Sequence, residues 1–218
     1  MKITSIEPQK KRPGRLNIYA DGEFLIGVAS ETLIRFALRR GDDITPSTVA
    51  ALAREEELLG ARAAALRLLG VRPRSVREIR DALREKEFAD DIAAETIASL
   101  GASGLLDDAA FARAYCRNVL ALRPSGGMLL KKKLLLLGVD RETAEGAIAD
   151  VLGGVDQVAV AARAAGKFLS RKRRSAGSDP RLRQQVAAFL MRRGYAWDVV
   201  EEALRRAMKG ENAGREPL

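Results

Sequence analysis

Three clusters of basic side chains are the groups in this sequence best suited to chemistry, and the chemistry that they offer is anion binding. Ammonium and guanidinium groups close together on a helix can bind several phosphates, and each contact releases condensed counterions. The alternatives are a solvated helix face and, at a helix end, compensation of the helix dipole, which needs one or two cations. The residues predicted to contact nucleic acid or an acidic protein surface are Lys131, Lys132, Lys167, Arg171, Lys172, Arg173, Arg174, Arg192 and Arg193.

The residue types needed for catalysis and metal binding are scarce. The chain has no His and a single Cys, Cys116, which excludes His-based relays, an internal disulfide and multi-cysteine zinc sites. The acidic pairs Asp90-Asp91, Asp107-Asp108 and Glu201-Glu202 each come at a predicted helix N-terminus, where carboxylates complement the helix dipole. The sequence therefore predicts a protein that is not an enzyme and has no catalytic residues, no metal site and no cofactor.

The charge balance favours a polyanionic partner. Lys and Arg number 38 against 29 Asp and Glu, a formal net charge of +9. Hydrophobic residues make up 47% of the chain, as in a folded protein, and the few aromatic residues fall mainly in core positions. The N-terminus lacks the apolar segment of a signal peptide, and no apolar run approaches the ~18 residues of a membrane span. We expect a soluble, cytoplasmic protein without membrane contact.

The elements that must position these cations begin with a small β structure. The predicted strands are Lys2 to Glu7, Arg15 to Ala20 and Glu23 to Val28. Asp21-Gly22 favours a tight type I′ turn between the second and third strands. Ser30 is predicted to cap a short helix, and Gly41 to end it. Thr45 before Pro46 predicts the start of a linking helix, because proline fits the first helical position.

From about residue 56 the sequence repeats itself three times. One marker of the repeat is the tripeptide found at Ala61-Arg62-Ala63, Ala112-Arg113-Ala114 and Ala162-Arg163-Ala164. A second is an apolar ladder whose copies are 51 and then 56 residues apart: Ile79, Leu83 and Phe88, then Leu130, Leu134 and Val139, then Val186, Leu190 and Tyr195. Such repeats are typical of stacked supersecondary units. We predict a mainly α fold with three tandem three-helix repeats in an elongated curved array, preceded by the β-hairpin and helix.

Boundaries and helix caps follow from this pattern. The predicted segments are 1–45 for the hairpin and short helix, 46–105 for the linking helix and first repeat, 106–153 for the second repeat, 154–209 for the third repeat and 210–218 for a flexible tail. Ser75 and Glu78 have the spacing of a capping box. The other predicted caps are Asp107, Ser125, Asp140 and Asp179.

Leu129 and Leu136 stand out in the second repeat. The repeat register places them in columns that hold Glu78 and Gln185, and Glu85 and Arg192, in the other two copies. One interpretation is contact between neighbouring repeats, since the middle repeat has two neighbours. The other is an exposed apolar patch that docks on a partner.

Four segments resemble the RecX family of recombinase regulators. They are NIYADGEFLIGV at 17–28, RPRSVREIRDALREKEF at 72–88, GLLDDAAFARAY at 104–115 and FLMRRGYAWDVVEEAL at 189–204. The resemblance follows the family's order along nearly the whole chain, although the second helix of the second repeat is richer in leucine than is usual for the family. Regulators of this family have no known catalytic residues.

The resemblance implies a partner and a mode of action. RecX proteins bind the RecA recombinase and its nucleoprotein filament, lodge in the filament groove, and inhibit the ATPase, strand-exchange and co-protease activities of RecA in DNA repair and the SOS response. We therefore expect a monomeric regulator of recombination that binds the filament and, weakly and without sequence preference, single- and double-stranded DNA. The alternative is a stand-alone helical DNA-binding protein that resembles a transcription factor, because tandem three-helix units can present recognition helices to DNA grooves.

Overall fold

The computed structural model describes residues 1–176 and 181–212, with the backbone alone for 172–176 and 209–212. These residues form one three-stranded sheet and ten helices. The chain divides into two compact units, which we call the N-terminal unit (Met1–Pro73 and Ile79–Leu106) and the C-terminal unit (Arg74–Glu78 and Asp107–Leu218). No helix within the described ranges is both long and apolar enough to cross a membrane.

The N-terminal unit opens with an antiparallel sheet in the order β1-β2-β3. Its strands are β1 (Ile3–Pro8), β2 (Arg15–Ala20) and β3 (Glu23–Ala29). The predicted turn is confirmed, since Asp21 and Gly22 both have positive φ, at 50° and 89°. One face of the sheet buries Ile18 and Val28 against Leu52 of the long helix that begins at Pro46, which accounts for the hydrophobic alternation along the strands.

The short helix α1 (Ser30–Arg35) differs from the prediction at both ends. Ser30 is its first residue and not its cap, because the Ser30 hydroxyl donates to the carbonyl of Gly14 at 3.0 Å instead of accepting from the helix. The helix ends before Gly41, and Ala37 adopts a positive φ of 51° just after its end. The predictions for Ser30 and Gly41 were therefore wrong.

The rest of the N-terminal unit is helical. Its helices are α2 (Pro46–Leu69), α3 (Val76–Arg84) and α4 (Asp90–Ala102). Helix α2 begins where predicted, with Pro46 at its first position, and Thr45 caps it by accepting from the Thr48 N–H at 3.2 Å. The predicted linking helix and the first helix of the first repeat are one continuous helix of 24 residues. Residues 74–78, at the start of α3, belong to the C-terminal unit.

Six further helices complete the second and third repeats in the C-terminal unit. They are α5 (Asp108–Leu122), α6 (Gly127–Leu136), α7 (Arg141–Leu152), α8 (Gln157–Ala176), α9 (Leu182–Arg192) and α10 (Trp197–Asn212). In each repeat the first helix packs against the third, α5 against α7 and α8 against α10. The second-repeat core is built around Leu130 and Leu134, and the third-repeat core around Val186 and Leu190, as the apolar ladder predicts.

The turn between the second and third helices of each repeat confirms the register. Glu87, Gly138 and Gly194 hold equivalent positions, and all three have positive φ, at 64°, 83° and 80°. The register of the first helices needs a correction of one residue. Ala61 and Ala112 are fully buried, and the fully buried residue that matches them in the third repeat is Ala161, whereas the tripeptide had aligned Ala162.

Most of the predicted helix caps form. Ser75 and Glu78 make the reciprocal capping box at 3.2 Å in both directions, and Asp107 and Asp140 accept N–H bonds at the starts of α5 and α7. Ser125 is not a cap, since its hydroxyl donates to the Arg123 carbonyl and Gly126 holds the cap position of α6. Asp179 and the residues 213–218 of the predicted tail lie outside the described residues. The elongated, curved arrangement of the repeats stays a prediction.

Candidate nucleic-acid interface

The net positive charge of the chain is confined to one of its two units. The N-terminal unit has 15 Lys and Arg and 15 Asp and Glu, so its formal charges cancel. The C-terminal unit has 23 Lys and Arg against 14 Asp and Glu, so it holds the whole surplus of nine. A polyanion is therefore attracted mainly to the C-terminal unit.

The lysine cluster on α6 divides into side chains with different environments. The Lys131 ammonium forms an ion pair with Glu145 on α7, and Arg141 contacts the same carboxylate at 3.0 Å. Hydrogen bonds from Lys131 and then Arg141 lower the pKa of Glu145 below its usual range. Lys133 is half-buried, and Lys132 is exposed with no ion pair to any described residue. Of the two lysines predicted to bind phosphate, only Lys132 is unpaired within the described part of the chain.

The two arginines at the end of α9 also differ. The Arg193 guanidinium lies over the Phe189 ring, 4.6 Å from its centroid, and donates to the Pro124 carbonyl at 2.9 Å. Phe189 in turn stacks on Phe168, with 4.6 Å between the ring centroids. Arg193, Phe189 and Phe168 therefore pack one on another within the C-terminal unit. Arg192 is exposed to solvent and forms no hydrogen bond or ion pair with any residue that the structure describes. Arg193 is a structural residue, and Arg192 remains a candidate for anion binding.

Helix α8 presents a row of cations on one face. Arg163, Lys167 and Arg171 are four residues apart and all exposed, so they lie close together on the helix surface. Arg163 was not among the predicted residues, although its spacing from Lys167 was a usable signal. The side chains of Lys172, Arg173 and Arg174 lie outside the described residues. Arg117 on α5 and Arg183 on α9 are further exposed arginines that the sequence reasoning missed.

The two leucines of α6 have different surroundings. Leu129 is half-buried, and its backbone lies close to Gly194. A Cβ atom at position 194 would overlap the backbone of Leu129. Leu129 thus fits the interpretation of contact between neighbouring repeats. Leu136 is 71% exposed and fits the interpretation of a free apolar patch.

The acidic pairs have structural partners. Asp90 and Asp91 pair with Arg84 and Arg54, and both carboxyl groups have lowered pKa values, chiefly because of hydrogen bonds from those arginines. Among the described residues, no group of three or more Cys, Asp or Glu side chains is placed to hold a metal ion. Cys116 is buried, and burial raises the pKa of its thiol, which makes it a poor nucleophile.

Family models cover much of the chain in the expected order. Residues 1–45 match the regulatory protein RecX N-terminal domain, 61–100 match the first three-helix domain of RecX, and 156–204 match its third three-helix domain. These ranges coincide with the sheet, with the first repeat and with the third repeat as the structure has them.

Relatives that match between 68% and 93% of this chain agree with these models. A regulatory protein RecX from Bacillus velezensis is 30% identical over 205 residues, which is 93% of this chain and 76% of that protein. Another from Lactobacillus delbrueckii subsp. bulgaricus is 34% identical over 149 residues, but the match spans only about half (55%) of that protein. A crystal structure of regulatory protein RecX superposes with a TM-score of 0.77 at 28% identity, covering 92% of this chain and 97% of that one. A RecX structure from Lactobacillus salivarius, with a TM-score of 0.64 at 24% identity, shares the fold. The chain belongs to the RecX family of regulatory proteins.

Proposed function

We propose that this chain binds the RecA nucleoprotein filament and inhibits its ATPase, strand-exchange and co-protease activities, with DNA as a weaker, sequence-independent ligand. It acts as a cytoplasmic monomer without a cofactor. Family membership supports the choice of partner.

The observation that carries the proposal is the concentration of charge in the C-terminal unit. The surplus of nine belongs to that unit, and three of the predicted cations are exposed there on different helices: Lys132 on α6, Lys167 on α8 and Arg192 on α9. Such side chains can bind phosphates or acidic side chains of a filament without competing for an internal partner. Lys131 and Arg193 contribute less, because internal contacts already hold their charged groups.

The mechanism needs binding only. Each phosphate that a cation contacts releases counterions, which supplies affinity without base recognition. A protein bound along a filament restrains the recombinase subunits if it prefers one of their conformations, and the size of that preference sets the inhibition.

The test is the rate of ATP hydrolysis by RecA on single-stranded DNA as this protein is added. We expect the rate to fall to a plateau, and the variant Lys132→Glu/Lys167→Glu/Arg192→Glu to need a higher concentration for the same effect. The matched control is Lys10→Glu/Lys11→Glu/Arg12→Glu, three exposed cations of the N-terminal unit, which should inhibit like the wild type. Unchanged hydrolysis at excess wild-type protein would refute the proposal.

The alternative of a stand-alone DNA-binding protein predicts a different result. Gel shifts without RecA would then show tight binding to particular sequences that survives physiological salt. Weak DNA binding that does not depend on sequence and is lost as the salt concentration rises would agree with a regulator of RecA.

A further inference from the structure

One face of α6 is apolar and exposed. Met128, Lys132, Leu135 and Leu136 follow the i, i+4, i+7, i+8 spacing of a single helix face. The exposed fractions of Met128, Leu135 and Leu136 are 66%, 40% and 71%. We call this set the α6 face. The described residues leave Met128 and Leu136 mostly uncovered and Leu135 partly so, and the core of the repeat therefore does not explain the composition of the face.

The other two repeats provide an internal comparison. The columns of Met128, Leu135 and Leu136 hold Arg77, Arg84 and Glu85 in the first repeat and Gln184, Met191 and Arg192 in the third. The fold therefore accepts polar residues at these positions. Only the second repeat places three apolar side chains there, which indicates a role outside the packing of the repeat itself.

The α6 face continues into a shallow groove between α6 and α7. Gly127 and Met128 form one side of the groove, and Ile148, Ala149 and Leu152 form the other. Its lining is mostly apolar, with the Lys131–Glu145 ion pair at the rim. The face and the groove share Met128, and Lys131 borders both, so a single helix or extended segment can contact both.

The charges around this surface select its occupant. Lys132 lies within the face and Lys133 beside it, and within the described residues neither is paired with an acid. A second copy of this chain docked face to face would bring these lysines together, and like charges at close range are unfavourable. A nucleic acid could use the lysines but not the three apolar side chains. A protein segment with apolar residues on one side and Asp or Glu beside them satisfies both features.

We propose that the α6 face and the adjoining groove form a docking site for an acidic amphipathic helix of a partner protein, anchored by apolar side chains and oriented by Lys132 and Lys133. This mode of recognition buries apolar residues at i, i+3 or i+4, and i+7 of the partner helix. The site goes beyond the proposed function, because it holds whether that helix belongs to the recombinase or to another protein.

The test uses synthetic peptides and the full chain. The first probe is a fluorescein-labelled helical peptide of about five turns with leucines on one face and glutamates elsewhere. The second has the same composition in an order that disperses the leucines around the helix. The third replaces the glutamates with lysines. Fluorescence anisotropy should show the first peptide binding at least about tenfold more tightly than either of the others.

Variants then locate the binding. Met128→Ser/Leu136→Ser should weaken binding of the first peptide by about tenfold or more, since it removes two exposed anchors without touching the core. The matched control is Met191→Ser, which alters the exposed side chain in the column of Leu135 in the third repeat and should leave binding unchanged. The far-UV circular dichroism spectra of the wild type and both variants should be the same.

Four outcomes would overturn the proposal. Equal binding of the two glutamate peptides would reduce the effect to net charge. Undiminished binding by Met128→Ser/Leu136→Ser would place the peptide elsewhere. A dimer in sedimentation that this double variant abolishes would assign the face to a second copy, and tighter peptide binding by a chain ending at Asn212 would assign it to residues 213–218. None of these readouts involves RecA, so failure here is distinct from failure of the proposed function.

Discussion

At the scale of single residues, Arg192 and Arg193 illustrate how neighbours in sequence take opposite roles. Arg193 is held by a cation–π contact with Phe189 and a hydrogen bond to Pro124, whereas Arg192 is exposed and unpaired within the described residues. A run of two arginines carries no signal of this difference. The difference depends on Phe189 one turn earlier on α9 and on a carbonyl 69 residues away in the chain.

We therefore expect the two alanine variants to separate stability from binding. Arg193→Ala should lower the free energy of unfolding by about 1–2 kcal/mol, because it removes the cation–π contact and the hydrogen bond. Arg192→Ala should change it by less than about 0.5 kcal/mol but weaken binding to single-stranded DNA. Urea denaturation and DNA anisotropy measure the two effects. Equal effects of both variants in either assay would show that the assignment is mistaken.

Gly194 combines two requirements that only glycine meets. Its φ is 80°, and a Cβ at this position would overlap the backbone and side chain of Leu129. Glu87 occupies the equivalent turn of the first repeat with a φ of 64° and is exposed, so a positive φ alone does not demand glycine. The close approach of Leu129 is what makes the difference.

We expect Gly194→Ala to destabilise the C-terminal unit by about 3 kcal/mol or more, the sum of left-handed strain and overpacking against backbone. The matched variant is Gly146→Ala in α7, where the added methyl meets no atom within 4 Å. That substitution should stabilise the protein by about 0.5–1 kcal/mol, because alanine favours the helix. Urea denaturation measures the change in the free energy of unfolding for both variants. A Gly194→Ala protein as stable as the wild type would mean that the turn can relax and would contradict the prediction.

At the scale of helices, the sequence predicts local interactions better than long-range ones. Asp107 and Asp140 were predicted as caps because the carboxylate and the N–H groups it accepts from are within three residues of each other. Ser30 and Lys131 were misjudged for the opposite reason. Their partners, Gly14 and Glu145, are 16 and 14 residues away, and only the folded chain brings them together. The apolar ladder predicted the core residues correctly because the same spacing recurs in three copies, so each copy supports the register of the others.

The cap of α7 should make stability depend on pH. Hydrogen bonds from the Thr143 side chain and backbone N–H lower the pKa of Asp140. A lowered pKa in the folded state means that the contribution is present above the usual carboxyl pKa of about 4 and is lost as pH falls through the folded value. Asp140→Ala should therefore lower Tm at neutral pH, and the difference from wild type should shrink in acid.

Asp140→Asn serves as the control for this titration. The amide oxygen can still accept the Thr143 N–H but has no charge to lose, so this variant should lie between wild type and Asp140→Ala at neutral pH. Circular dichroism melts at several pH values follow the three proteins. A Tm difference between wild type and Asp140→Ala that stays constant into strong acid would contradict the role of the carboxylate.

At the scale of the whole molecule, the total charge of +9 conceals an uneven distribution. Composition alone gives the sum but not its location, and the location depends on which residues each unit contains. Lys132, Lys167 and Arg192 were predicted to bind anions because they belong to conspicuous clusters in the sequence. Sequence reasoning missed Arg163, whose four-residue spacing from Lys167 was a usable signal, and also Arg117 and Arg183, whose exposure becomes evident only when the opposite face of each helix is seen to be buried.

The distribution of charge predicts which substitutions change the salt dependence of DNA binding. For single strands, each phosphate contact contributes about −0.7 to the slope of log affinity against log salt. Lys132→Gln/Lys167→Gln/Arg192→Gln should therefore make the slope shallower by up to about 2, whereas Lys10→Gln/Lys11→Gln/Arg12→Gln, in the electrically neutral N-terminal unit, should leave it unchanged. Both triple variants remove three positive charges, so a general effect of net charge would alter the two slopes equally. Anisotropy titrations at several salt concentrations distinguish these cases, and a larger change in the N-terminal variant would move the interface to the β1–β2 loop.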